Sequence, residues 1–121
     1  MTKLLDTSIV LYGLEGRLGL PLGASEYAIS VITEMELLSF PQLTTDQEES
    51  IRLFISKIRV CGLSRPVREK AIELRRKFAL KLPDAIIAAT AFVYACDLIT
   101  NDKALLKLSD ISAYGIPLIE S

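Results

Sequence analysis

Short apolar runs alternate with longer segments of helical periodicity along the chain. The first run, Leu4-Leu5, stops at Asp6, and its length and position predict a buried central strand of a parallel sheet. Pro117 falls in the last run and marks it as an edge strand, because proline cannot donate a hydrogen bond to a neighbouring strand. The other predicted strands cover residues 27–29, 60–63, 97–100 and 116–119.

Between these runs, apolar residues recur at helical spacing. Residues 85–95 are apolar on nearly every side and rich in alanine, which predicts a helix inside the core. Glycines and Pro21 predict a loop over residues 13–23. Strands that alternate with helices indicate parallel β-α-β units, so the predicted class is α/β, a three-layer α/β/α sandwich with a short parallel central sheet. The further predicted helices are 9–14, 32–40, 45–58, 64–78 and a short one that reaches residue 108.

Hydroxyl side chains precede several of these helices and are expected to cap them. A hydroxyl followed three residues later by glutamate also fits a capping box. The expected caps are Thr7 or Ser8 and then Ser30 or Thr33, and the expected boxes pair Thr33 with Glu36 and Thr45 with Glu48.

Composition narrows the functional classes. The chain has 121 residues, half of them hydrophobic, which predicts a single domain over residues 1–121. Its net charge of −1 means that a polyanionic partner would need a local basic patch. The absence of histidine excludes histidine-based acid–base, triad and zinc chemistry. Cys61 and Cys96 have apolar neighbours and are expected to be buried free thiols.

Neither a secretion signal nor an apolar run long enough to span a bilayer is apparent in the sequence. We therefore expect a cytoplasmic protein without a membrane partner.

Four acidic residues are candidates for one functional site. Asp6 and Asp102 follow predicted strands, where ligands bind in open α/β sheets, and Asp84 lies in the first turn of the core helix. Structural roles are open for three of them: Asp102 as a turn residue or helix cap, Asp84 as a complement to the helix dipole, and Glu36 as part of a capping box. A buried carboxylate is costly without a partner, which favours a functional role for Asp6.

Brought together, four carboxylates would repel one another unless a cation lay among them. Hard oxygen ligands without histidine or a cysteine cluster indicate Mg²⁺ or Mn²⁺, and such a site suits phosphoryl transfer. The hydroxyls of Ser8 and Thr100, each two residues from an acid, are expected to hold metal-bound water or a substrate phosphate. The helical wheel leaves open whether Glu34 or Glu36 faces the site.

A basic segment stands out against the near-neutral chain. Residues 65–81 contain seven basic side chains and two acidic ones. A solvated helix face with ion pairs one turn apart would explain this, and so would a surface that binds phosphates near the acids. The run Arg75-Arg76-Lys77 is the candidate for binding a polyanion such as RNA.

Four motifs in the chain surround the candidate acids. They are Leu5-Asp6-Thr7-Ser8, Ser30-Val31-Ile32-Thr33-Glu34-Met35-Glu36-Leu37, Leu82-Pro83-Asp84-Ala85 and Leu98-Ile99-Thr100-Asn101-Asp102. Together they resemble the motifs of the PIN-domain ribonucleases, and within that family those of the small VapC-like toxins of type II toxin–antitoxin pairs. They keep the order and spacing of that family over nearly the whole chain.

The resemblance implies a ribonuclease that hydrolyses RNA phosphodiester bonds with Mg²⁺ or Mn²⁺. It implies that Asp6, Glu36, Asp84 and Asp102 bind the metal, and it selects Glu36 because the glutamate of the family directly precedes leucine. Some members carry a further acid where this chain has Leu105, so the number of metals stays open. A homodimer and a cognate antitoxin that covers the active-site groove are also implied.

Other functions remain open at this point. A housekeeping PIN nuclease of RNA maturation would share these motifs, and a catalytically silent PIN fold would serve as a binding module. A phosphatase or phosphotransferase with Asp6 as nucleophile is a further alternative. Its haloacid-dehalogenase form expects an acid two residues on, where this chain has Ser8. Receiver domains expect an acidic pair near the first strand, which is not evident here.

Overall fold

The structure is a computed structural model that describes residues 2–19 and 26–119. Its strands lie in the order β3-β2-β1-β4-β5 and all four pairings are parallel. The central strand β1 pairs with β2 through Leu4 and Ala28, and with β4 through Leu4 and Leu98. The elements are β1 Lys3–Leu5, α1 Thr7–Leu14, β2 Tyr27–Ser30, α2 Val31–Leu38, α3 Thr45–Ser56, β3 Arg59–Cys61, α4 Arg65–Phe78, α5 Leu82–Val93, β4 Asp97–Ile99, α6 Lys103–Leu106 and β5 Ala113–Tyr114.

The core lies on both faces of the sheet, because successive side chains of a strand point to opposite faces. Leu4 packs into the cluster that contains α4 and α5, whereas its neighbour Leu5 packs into the cluster that contains residues of α1, α2 and α3. Helices therefore cover each face, and the predicted α/β three-layer sandwich is confirmed.

Helix α5 is the core helix that the sequence predicts. Its residues from Ala85 to Ala91 are all buried, and α5 packs against the buried stripe Val67, Ala71 and Leu74 of α4. Its alanines lie in the same core cluster as Leu4 and Leu98 of the sheet. Asp84, at the start of α5, thereby lies beside Asp6 at the carboxyl end of the sheet.

The last predicted strand, residues 116–119, is wrong. The edge strand is β5, and Leu118 forms only an isolated antiparallel bridge with Leu18. The Asn101 side chain explains the difference: its Nδ2 donates to the Ile116 carbonyl at 2.9 Å, and its Oδ1 accepts from the Ile116 N–H at 2.9 Å. A side-chain amide thus takes the place of a neighbouring strand.

Two of the predicted caps are also corrected. Ser30 caps α2 by accepting from the Ile32 N–H, while Thr33 lies inside the helix, so the box of Thr33 with Glu36 does not form. The capping box of α3 pairs Thr44 with Gln47, one residue earlier than predicted, because the backbone is still extended at Thr44.

The remaining expectations concern single features. Cys61 and Cys96 are buried free thiols, as predicted. The structure shows no helix, within the described ranges, that is both long and apolar enough to cross a membrane. Residues 20–23 of the predicted loop lie outside the described residues, whereas residues 15–19 follow α1 and form no helix or strand, apart from the isolated bridge at Leu18. The single-domain extent stays a prediction.

Candidate active site

Asp6 lies where β1 ends and caps α1 itself, in place of Thr7 or Ser8. Its Oδ1 accepts from the Thr7 N–H at 2.8 Å, and its Oδ2 accepts from the Thr100 hydroxyl at 2.6 Å. The residue is only 7% exposed. A short strand that stops at a carboxylate therefore produces a buried acid whose two oxygens are both fixed by the ends of neighbouring elements.

Thr100 joins the two aspartates at the strand ends. Its hydroxyl donates to Asp6 and accepts from the Asp102 N–H at 3.0 Å, and the residue is fully buried. The expectation that this hydroxyl holds water or phosphate does not fit that position, because Thr100 is covered and already hydrogen-bonded. It orients the Asp6 carboxylate and holds the backbone of Asp102.

Asp102 caps the short helix α6. Its Oδ1 accepts from the N–H groups of Ala104 at 2.8 Å and Leu105 at 3.2 Å. The structural role that the sequence left open for Asp102 is thus real, and the residue also borders the groove described below.

Glu36 projects from the middle of α2 toward the N-terminus of α1. Its Oε1 accepts from the Thr7 hydroxyl at 2.7 Å. Glu36 lines the groove and Glu34 does not, so the choice that the helical wheel left open falls on Glu36. This agrees with the selection made by the family motif.

One open groove of about 420 Å³ brings the candidate acids together. Ser8 lies in its wall, and its role as a supporting hydroxyl stays a prediction. Tyr12 and Asn101 were not singled out from the sequence, although Tyr12 lies one helical turn after Ser8 and so shares its face of α1. The lining residues are Asp6, Thr7, Ser8, Leu11, Tyr12, Glu36, Asp84, Asn101 and Asp102.

The groove is electrostatically unfavourable for its own carboxylates. Burial raises the pKa of Asp6, with smaller contributions from the charges of Asp102 and Glu36, while hydrogen bonds from Thr100 and Thr7 oppose the rise. Burial also raises the pKa of Asp84, followed by the charges of Asp102 and Asp6. A bound cation would relieve this mutual repulsion.

The donor set suits a hydrated divalent cation. Within residues 2–19 and 26–119, no three acidic, histidine or cysteine side chains are gathered closely enough to enclose a metal ion by themselves. Mg²⁺ is ordinarily held by one or two carboxylates and keeps several waters, so a preformed protein cage is not required. Hard carboxylate oxygens around an open groove fit this mode of binding.

The basic run lies apart from the groove wall. Arg75 and Arg76 line a separate depression with Leu82, which begins the helix that carries Asp84. Lys77 is next to them and its ammonium lies 5.2 Å from the centre of the Phe78 ring. The run is therefore exposed beside the start of α5 and is not among the residues that line the acid groove.

The fold and the motifs both have counterparts among known proteins. The family model described as PIN domain matches residues 3–111. A toxin–antitoxin complex from Klebsiella pneumoniae contains a chain that is 32% identical; the match covers 90% of this chain and 94% of that one, with a TM-score of 0.78. A comparison with curated proteins finds no match.

Two further solved structures share the fold at lower identity. VapBC2 from Rickettsia felis, bound to a DNA fragment from its promoter, has 20% identity and a TM-score of 0.80, with 95% of this chain and 98% of that chain covered. VapBC-5 from Mycobacterium tuberculosis has 24% identity and a TM-score of 0.67, with coverage of 96% and 98%.

Proposed function

The chain belongs to the PIN domain family, and from that membership we propose that it is a divalent-metal-dependent endoribonuclease that acts as the toxin of a toxin–antitoxin pair. The observation that carries the proposal is the groove at the carboxyl end of the sheet, with Asp6, Glu36, Asp84 and Asp102 in its wall. Its substrate would be RNA in the cytoplasm.

The chemistry follows from how these side chains are held. Asp6, Asp84, Asp102 and Glu36 would hold Mg²⁺ or Mn²⁺ and its waters. When bound, a divalent cation supplies charge neutralisation at the phosphate and activation of the attacking water. The protein contributes orientation: Thr100 fixes Asp6 and the backbone of Asp102, and Thr7 fixes one oxygen of Glu36. Such preorganisation avoids rearrangement during the reaction.

Cleavage assays test the proposed activity. Purified protein is incubated with total RNA and with an unstructured oligoribonucleotide in Mg²⁺, in Mn²⁺ or in EDTA, and DNA of the same sequence serves as control. We expect fragments of RNA only where a divalent cation is present. RNA that stays intact in every condition, or cleavage that survives EDTA, would contradict the proposal.

A second, larger groove supports an antitoxin partner. It has a volume of about 550 Å³, lies between α1 and α3, and shares Leu11 with the acid groove. Leu14 and Phe40 line it and are 42% and 43% exposed. We propose that an antitoxin segment packs its apolar side chains here and so covers the neighbouring acids. The similarity of this protein to a chain of a toxin–antitoxin complex supports such a partner.

The partner is tested with the product of a small adjacent gene. The double variant Leu14→Asp/Phe40→Asp should escape inhibition by that protein and still cleave RNA, whereas Leu53→Asp, on an exposed part of α3 that does not line this groove, should remain inhibited. The lack of any inhibiting partner would favour a housekeeping nuclease.

We also propose a homodimer. The support is the exposed apolar side chains of α4 and α5: Ile72 and Leu82, which line one depression, are 55% and 51% exposed, and Phe92, near the end of α5, is 47% exposed. Exposed apolar groups of this kind mark association surfaces. Light scattering should give the dimer mass for the parent and the monomer mass for Ile72→Glu/Phe92→Glu; a parent of monomer mass would contradict the dimer.

A further inference from the structure

The hydroxyl of Thr7 lies between the buried Thr33 hydroxyl and the Glu36 carboxylate, both of which belong to α2. The Thr7 hydroxyl lies 2.7 Å from Oε1 of Glu36 and 2.9 Å from the Thr33 hydroxyl. Thr33 is fully buried, one turn before Glu36 on the same helix, and Thr7 directly follows Asp6. The three groups form a short chain of hydrogen bonds at the edge of the acid groove.

The number of protons on each group determines which group donates in each of these hydrogen bonds. A hydroxyl has one proton to donate, and an ionised carboxylate can only accept. The Thr7 proton therefore goes to Glu36, which leaves the Thr7 oxygen to accept from Thr33. A hydroxyl that accepts one hydrogen bond becomes a stronger donor in the next, so Thr33 strengthens the bond from Thr7 to Glu36.

We propose that Thr33 and Thr7 are positioning residues that hold the Glu36 carboxylate in place for a divalent cation and its waters. The inference rests on the function proposed above. Glutamate has several rotatable bonds, and fixing them when the cation binds would cost conformational entropy. The hydroxyl chain fixes the Glu36 carboxylate beforehand. It also ties Glu36 to the first turn of α1, whose cap is Asp6, so the two acids keep their relative position.

Capping of α2 does not explain the buried hydroxyl of Thr33. Thr33 is not the N-cap of α2, because Ser30 has that role. Its hydroxyl therefore has no capping function that would account for its burial, whereas the contact with Thr7 leads directly to a groove residue.

The test compares Thr33→Val, which keeps the shape and removes the hydroxyl, with Thr33→Ser, which keeps the hydroxyl. The primary readout is Mn²⁺ affinity from calorimetry without RNA. We expect Thr33→Val to bind Mn²⁺ roughly 10- to 100-fold more weakly, as is usual when a residue that orients a metal ligand is lost. Thr33→Ser should bind close to the parent value, and RNA cleavage should follow the same order.

A double-mutant cycle separates positioning from general structural damage. If Thr33 acts through Glu36, Thr33→Val should have no further effect on Mn²⁺ affinity in a Glu36→Gln background. Thermal unfolding checks that each variant folds. If Thr33→Val does not fold, the same comparison is made at Thr7. Thr7→Val should then bind Mn²⁺ more weakly than Thr7→Ser, because the Thr7 hydroxyl is the direct donor to Glu36.

Three results would overturn the inference: equal Mn²⁺ affinities for the valine and serine variants, fully additive effects in the cycle, or a parent protein that binds no Mn²⁺. Failure of the proposed function looks different. A parent that binds Mn²⁺ and cleaves no RNA would overturn the nuclease while the calorimetric comparison still decided the role of Thr33.

Discussion

At the scale of single residues, Asp6 combines burial with a close approach to other acids. Its pKa is raised mainly by burial, and the pKa of Asp84 is raised for the same reason. Hydrogen bonds from Thr7 and Thr100 hold Asp6 in this position despite the cost. A residue kept in an unfavourable electrostatic environment is typical of a functional site.

These raised pKa values predict how stability depends on pH. The folded protein binds protons at Asp6 and Asp84 more tightly than the unfolded chain does, so the metal-free protein should lose stability as pH rises through the raised pKa values. Thermal unfolding in EDTA, from about pH 4 to pH 7, measures this effect. Saturating Mn²⁺ should remove the loss and add about 2.7 kcal/mol at a concentration of 100 times Kd.

The control for this prediction is Asp6→Asn, which should show a weaker pH dependence in EDTA and little stabilisation by Mn²⁺. If the parent and Asp6→Asn respond alike to pH and to Mn²⁺, the account of Asp6 is incorrect.

The sequence predicts where the acids lie better than it predicts what holds them. Parallel strands end at one edge of the sheet, so Asp6 and Asp102 could be expected to meet. The hydroxyl contacts of Thr7 and Thr100 depend on distances between residues 29 and 94 positions apart, which a local pattern does not contain. Ser30 and Thr33 are equally good cap candidates in the sequence, because a hydroxyl near a helix start is a local capping signal, and only the structure assigns the cap to Ser30.

At the scale of elements, helix periods were predicted well and the last strand was not. Repeated apolar positions define α3 and α4, and the pattern is reliable because Ile51 of α3 and the stripe Val67, Ala71 and Leu74 of α4 are buried. The segment after β5 has the composition of a strand, but the Asn101 amide already satisfies the Ile116 backbone. A single side chain thus overrides a local preference.

An ion pair of Lys70 with Asp110 links α4 to the segment that follows α6. Its ammonium lies 3.0 Å from Asp110 and 3.1 Å from Glu73, and 4.0 Å from the centre of the Phe92 ring on α5. The hydrogen bond from Lys70 lowers the pKa of Asp110. This interaction therefore stabilises the fold fully above the ordinary pKa of aspartate, and the stabilisation is lost as pH falls through the lowered pKa of Asp110.

Asp110→Asn should accordingly lower the thermal midpoint at neutral pH and have a much smaller effect near pH 3. Asp46→Asn, at an exposed position in the first turn of α3, is the matched control. An Asp110→Asn effect that is equally large at both pH values would show that the ion pair is not its cause.

Over the whole molecule, basic side chains of residues 65–81 fall into two groups, those that are paired within the protein and those that are exposed to solvent. Arg65 pairs with Glu69, Arg68 donates to the Leu63 carbonyl, and Lys70 is held as described above. Arg75 and Arg76 are exposed on the last turn of α4, next to the start of α5. The ion-paired helix face considered from the sequence thus accounts for the first part of α4, and a phosphate-binding surface on its last turn stays a prediction.

Arg75→Glu/Arg76→Glu should weaken RNA binding in an Asp6→Asn background and reduce the salt dependence of the affinity, by about 0.7 in logarithmic slope for each lost phosphate contact. Mn²⁺ binding should not change. Arg52→Glu/Lys57→Glu, on and just after α3, carries the same change in net charge and should bind RNA more nearly as the parent does. Equal losses in both double variants would indicate a general charge effect only.

We propose that Asp6, Glu36, Asp84 and Asp102 form one metal-dependent nuclease site, and cleavage of a single RNA by matched variants is the decisive test. Asp6→Asn, Glu36→Gln, Asp84→Asn and Asp102→Asn should each lose activity by at least about 100-fold in Mn²⁺, because each removes a charge from the groove. Glu34→Gln removes the same charge two residues away on α2, outside the groove, and should cleave as the parent does. Full activity in the Asp6 or Asp102 variant, or equal losses for Glu34 and Glu36, would contradict the account.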